Sequence, residues 1–97
     1  MAVKHMVLVE LKDGVTDEQI QAAVDDLRAL KGQIPGLLEV DAGRNFTDRA
    51  GNYNFAAVMT LESKEALAGY GPHPAHQAAA GKLGAFANAL LVVDFEV

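Results

Sequence analysis

The chain has no cysteine and no tryptophan among its 97 residues. The first absence removes disulfides, thiolate nucleophiles and thiolate metal sites together. The second, with only four phenylalanines and two tyrosines, leaves a core assembled mainly from alanine, leucine and valine. Positive charge is also scarce. Eight Lys and Arg stand against 13 Asp and Glu, and the basic residues never cluster, so the concentrated positive charge that grips nucleic-acid phosphates or an anionic membrane is missing. No apolar run approaches the roughly 18 to 20 residues that span a bilayer. The opening MAVKHMVLVELK keeps charges at Lys4, Glu10 and Lys12, and lacks the long apolar segment and small-residue cleavage site of a secretion signal. The expected compartment is the cytosol, with neither nucleic acid nor membrane as partner. A glycine-rich phosphate loop, a Ser/His/Asp arrangement and glycosidase-spaced carboxylates are missing too.

What is present is an apolar half: 51% of residues are hydrophobic, enough to drive folding. The length fits one small domain over residues 1–97, and a domain this small is a candidate for completing its core with a partner subunit. Residues 3–12 (VKHMVLVELK) predict a strand, with Val3, Val7, Val9 and Leu11 sharing one face with His5, and Met6 and Leu8 on the other. After Asp13-Gly14, Thr16 to Gln19 matches a capping box, with Val15 and Ile20 placed for a hydrophobic staple. Ile20, Ala23, Val24, Leu27, Leu30 and Ile34 then recur at helical spacing, predicting a helix that stops before Pro35-Gly36.

LLEVDAGR (37–44) predicts a second strand, with Leu38, Val40 and Ala42 alternating against Leu37, Glu39 and Asp41. A polar turn over 45–52 leads to a third strand, Tyr53 to Leu61, with Tyr53, Phe55, Ala57, Met59 and Leu61 on one face. Ser63 is placed to cap a short helix through Tyr70. Pro74 suits the first turn of another helix, alanine-rich, in which Gly81 and Gly84 imply close packing or shortening. LLVVDFE (90–96) predicts the last strand. Strand, helix, strand, strand, helix, strand is the ferredoxin-like βαββαβ order of an α+β sandwich. Two helices cover only one sheet face. The other, expected to carry His5 and several apolar side chains, is too large a patch to leave to water, so two sheets packed face to face in a homodimer are expected.

MAVKH (1–5), VTDEQ (15–19), Ile34-Pro35, the strand from Asn54 to Glu62 followed by Ser63, His73-Pro74-Ala75-His76 and the terminal Asp94-Phe95 together resemble the stress-responsive dimeric α/β-barrel family. Within that family the likeness extends to a plant polyketide cyclase and covers nearly the whole chain. The resemblance implies a homodimeric α/β barrel, each subunit holding a cavity between sheet and helices, and a reaction that needs no cofactor. It carries the cyclase's two reacting residues onto Tyr70 and His76, and its cavity-lining N-terminal histidine onto His5. Phe55 stands where the cyclase has a histidine, and Leu27 where it has a tyrosine, so the pocket implied here is more apolar.

In YGPHPAHQ (70–77) two of the three histidines and one of the two tyrosines fall within seven residues. Imidazole suits the abstraction of a proton from carbon near neutral pH, which makes His76 the candidate general base. A phenol can donate to a carbonyl oxygen as charge develops there, which is the candidate role of Tyr70. Against these stand plainer roles: a helix-cap histidine and a core aromatic. His73, between two prolines, is expected to hold the loop by a hydrogen bond or to touch substrate. His5, Leu27, Phe55 and Met59 complete the candidate substrate-binding set, with Phe55 and Met59 equally suited to sheet core. A metal clip from His5, His73 and His76 has no evident carboxylate partner, and a closed site wants four ligands, so no metal is expected. Three functions remain: carbon-acid chemistry on a small apolar carbonyl compound, storage of a hydrophobic ligand, or a dimeric scaffold.

Overall fold

A computed structural model describes residues 1–97. Four strands, β1 (Val3–Leu11), β2 (Leu37–Arg44), β3 (Phe55–Leu61) and β4 (Ala87–Glu96), form one antiparallel sheet in the order β2-β3-β1-β4. Helices α1 (Asp17–Arg28), α2 (Lys64–Tyr70) and α3 (Pro74–Ala85) lie on one side of it. This is the ferredoxin-like α+β fold.

The start of α1 follows the capping box: Thr16 Oγ1 accepts from the Gln19 N–H at 3.1 Å, and the Gln19 side chain accepts from the Thr16 N–H at 2.9 Å. A 12-residue helix is marginal by itself. Burial of Ile20, Ala23, Val24 and Leu27 anchors it, each larger side chain contributing roughly 1.5–3 kcal/mol. The regular helix ends at Arg28, seven residues before Pro35; tighter turns follow, among them Leu30 N–H to Leu27 O, and still bury Leu30 and Ile34. Gly36 then takes φ +81°, and a Cβ there would sit 2.5 Å from the Ala66 Cβ, so this glycine is what lets α2 approach the turn before β2.

Strand β2 departs from simple alternation. Its register against β3 shifts between Leu37 and Glu39, so Leu37 and Val40 both reach the core and Leu38 is left exposed. The third strand begins at Phe55, two residues after the expected Tyr53, and Phe55, Ala57, Met59 and Leu61 are buried as the period of two requires. Helix α3 stops at Ala85 and β4 starts at Ala87, three residues before Leu90, because Phe86 caps the helix while packing on the core. Gly81 and Gly84 have open space where a Cβ would stand, so neither marks a close contact.

The helix-covered face carries Val3, Val7, Val9 and Leu11, all buried, together with His5. The expectation that His5 lies on the uncovered face is therefore corrected: alternation puts it with the valines. The uncovered face is instead that of Met6 and Leu8, flanked in register by Val58 and Ala56 on one side and by Val93 and Leu91 on the other. Leu91, Val93 and Phe95 are about half exposed, at 48%, 50% and 45%. No residue of β4 is buried, although it pairs with β1 along its whole length. No helix is long and apolar enough to cross a membrane.

Candidate active site

The YGPHPAHQ segment forms the joint between α2 and α3. Ser63 Oγ starts α2 by accepting from the Ala66 N–H at 3.1 Å. The helix runs out at Tyr70, and Pro72 cannot continue it. Its terminal carbonyls lack intrahelical partners, and that of Gly71 accepts a hydrogen bond at 2.8 Å from His76 Nδ1. His76 lies in the first turn of α3, which begins with Pro74. A carbonyl oxygen only accepts, so Nδ1 carries the hydrogen, and the Nε2 of the neutral ring keeps its lone pair.

Tyr70, 2% exposed, closes α2 against the sheet. Its ring centroid stands 4.3 Å from that of His76 and 5.5 Å from that of His5, the latter edge-on. No group of the chain hydrogen-bonds its hydroxyl, yet no buried side-chain oxygen or nitrogen is orphaned, so the phenol oxygen opens onto free space. Desolvation pushes its pKa from 10.0 up to about 12. At neutral pH it is a phenol that donates.

That free space is a hollow of about 310 Å³ between the β1, β3 and β4 strands and the three helices. Nine of its thirteen lining residues carry aliphatic or thioether side chains, Gly71 has none, and only His5, Tyr70 and His76 have polar side chains. Leu90 and Val92 of β4 form its outer wall. His5 is held by the Asp94 carboxylate, which accepts from its Nδ1; the two residues are direct partners in the β1–β4 register.

Of the seven candidate residues, His5, Leu27, Met59, Tyr70 and His76 meet at this hollow. Phe55 does not: it is 1% exposed within the core. His73 also lies elsewhere, in a shallow surface depression with Glu62, Glu65 and Ser63, where its Nδ1 accepts from the Ala75 N–H at 3.1 Å as the N-cap of α3. Both corrections have local causes. Phe55 opens β3 between Val9 and Arg44 and is packed in the core, and the Pro-His-Pro backbone turns His73 back on its own helix. With His73 turned away, no three His, Asp or Glu side chains gather at one point. Asp94 was not singled out for a role in the sequence; the signal available was a carboxylate directly after the apolar run Leu90 to Val93.

A small apolar hollow that brings a phenol and two imidazoles together holds groups able to donate and accept protons beside a mostly hydrophobic molecule. Residues 3–97 match the stress-responsive A/B barrel domain, and the chain belongs to that family. It is 36% identical over 96 residues to a Streptomyces coelicolor protein, covering 97% of this chain and 98% of that one. Olivetolic acid cyclase of Cannabis sativa is 30% identical over 97 residues, covering 98% and 96%. A dimeric ferredoxin-like protein from Jannaschia superposes with a TM-score of 0.86 at 33% identity, with both chains fully covered.

Proposed function

We propose that the hollow carries out cofactor-free carbon-acid chemistry, of the cyclase kind, on a small and largely apolar carbonyl compound. His76 Nε2 takes a proton from the carbon between two carbonyls, and the electron pair left behind delocalises into an enolate. Tyr70, still protonated, donates to the carbonyl oxygen that gains charge. The enolate carbon then attacks a more distant carbonyl carbon of the same molecule. One carbon–carbon bond forms, the π pair of that carbonyl moves to its oxygen, and the oxygen takes a proton back from the imidazolium. Folding the substrate so that these atoms meet is the work of the apolar walls. Kinship with olivetolic acid cyclase supports the reaction type. The observation that carries the reading is the Tyr70–His76 pair, 4.3 Å apart at the hollow, with the Nδ1 of His76 tied to a carbonyl and its Nε2 free.

The working unit in this reading is a homodimer, with the Met6, Leu8, Val58, Leu91 and Val93 face of one copy packed on that of the other. The half-exposed apolar strand β4 and the dimeric state of the Jannaschia protein support it. The cytosol is its proposed compartment. A linear poly-β-keto thioester in deuterated water tests the chemistry, with mass spectrometry following ring product and deuterium at the methylene carbons. His76→Ala is expected to lower both by about a hundredfold or more while the dimer persists in ultracentrifugation. Unaltered turnover rejects His76 as the base. A second reading, storage of a hydrophobic ligand, is favoured by the apolar walls at Leu27 and Met59. It predicts tight uptake of the probe with no exchange in the unsubstituted protein.

A further inference from the structure

The hollow holds two imidazoles, and they are fixed by different partners. The hydrogen-bonding partner of one ring nitrogen decides the state of the other. His76 gives its Nδ1–H to the neutral carbonyl of Gly71, while His5 gives its Nδ1–H to the Asp94 carboxylate. An ionised carboxylate only accepts, so the hydrogen must stay on Nδ1, and Nε2 is left bare on the neutral ring. Tyr70 neighbours both rings, its centroid 5.5 Å from that of His5 and 4.3 Å from that of His76. The hollow thus brings two acceptors and one donor together on apolar walls.

We propose that Asp94 is a positioning residue that makes His5 Nε2 a second hydrogen-bond acceptor, so that the site selects molecules carrying an enol or phenol O–H beside a carbonyl oxygen. The complement is an enolisable 1,3-dicarbonyl: its carbonyl oxygen takes the Tyr70 hydrogen, its enol O–H is given to His5, and its acidic C–H faces His76. This rests on the carbon-acid reading for its substrate class but not for its measurement. Asp94 can be changed without opening the core, since its side chain is 41% exposed and stands at the sheet's outer strand.

The test reads ring nitrogens directly. In nitrogen-15 NMR at about pH 8, above the ordinary imidazole range, His5 and His76 are expected with hydrogen on Nδ1 and a bare Nε2. His73, which accepts at Nδ1, shows the reverse. In Asp94→Ala, His5 alone should lose this preference and move to the Nε2–H form, with the other two histidines reporting an intact fold. A second measurement compares 4-butylphenol with its methyl ether, in a His76→Ala background that leaves His5 as the one bare imidazole in the hollow. Preference for the phenol should fall about tenfold when Asp94→Ala is added, the loss of one hydrogen bond in a dry site. A His5 ring bare at Nδ1 or protonated on both nitrogens at that pH, a ring unmoved by Asp94→Ala, or an unchanged phenol preference overturns the inference. Because the tautomer is read without turnover, its failure is distinct from that of the carbon-acid reading, which falls with His76.

Discussion

Tyr70→Phe removes a single oxygen from a ring that is 2% exposed. If that ring is only core, the substitution is nearly silent; if its hydroxyl is a preorganised donor, stability and turnover must part company. The hydroxyl has no partner in the chain and opens on the hollow. Its loss should therefore change stability at neutral pH by less than about 1 kcal/mol. Turnover, by contrast, should drop by roughly a hundredfold or more, as when one donor to a developing oxyanion is lost. The raised pKa supplies an independent check. Burial lifts the phenol from 10.0 to about 12, a difference worth about 2.7 kcal/mol. Below pH 10 the folded and unfolded phenols are both protonated and the stability is fully present. Between 10 and 12 only the unfolded state loses its proton, so stability falls as pH rises through the folded pKa. Urea unfolding of both proteins across that range should show an alkaline slope in the parent that is shallower in Tyr70→Phe, and their difference in absorbance near 295 nm should titrate at about 12. Equal slopes, or a difference titration complete by the ordinary tyrosine range, would show that the phenol is hydrated and refute the dry-site argument.

Leu27→Trp pushes a large ring into the hollow and is expected to block uptake of a 4-alkylphenol in calorimetry, at about 1–3 kcal/mol of lost stability from crowding; uptake at full stoichiometry would mean that ligands go elsewhere. Val93→Lys places an unpaired charge in the proposed contact twice per dimer and should weaken self-association a hundredfold or more by sedimentation; an unaffected dimer would move the interface off this face. His73→Ala deprives α3 of its N-cap and should lower stability by about 1 kcal/mol in urea unfolding, whereas no loss would show the 3.1 Å bond to Ala75 to be idle.

Local grammar carried most of the architecture. Thr16 and Gln19, Ser63 and Pro74 each announced a helix start because capping is decided by two or three adjacent residues, and all three helices begin where those residues predict. The period of two in β3 likewise named its buried set. Non-local terms were harder to read. The bulge between Leu37 and Glu39 exists only against β3, and it decided that Leu37 faces inward and Leu38 outward. Which face the helices cover depends on the packed sheet, and so did the side taken by His5. Tyr70 and His76 were legible as candidates from their clustering in YGPHPAHQ and from the family resemblance, but their spacing did not show that they meet. That His73, in the same motif, turns away follows from one short bond inside its own helix. Asp94 became meaningful only through its register with a residue 89 positions earlier.

Strand β4 has two duties that alternate along its length. Leu90 and Val92 wall the hollow, while Leu91, Val93 and Phe95 point the opposite way. In the proposed dimer a guest would press on the same strand that presents the second set to the partner copy. Occupancy and self-association are then expected to be linked through the ten residues of this strand, and any such linkage is equal in both directions. Diluting the protein until the pairs separate should loosen its hold on the guest, and a guest that fits should hold the pairs together at lower concentration.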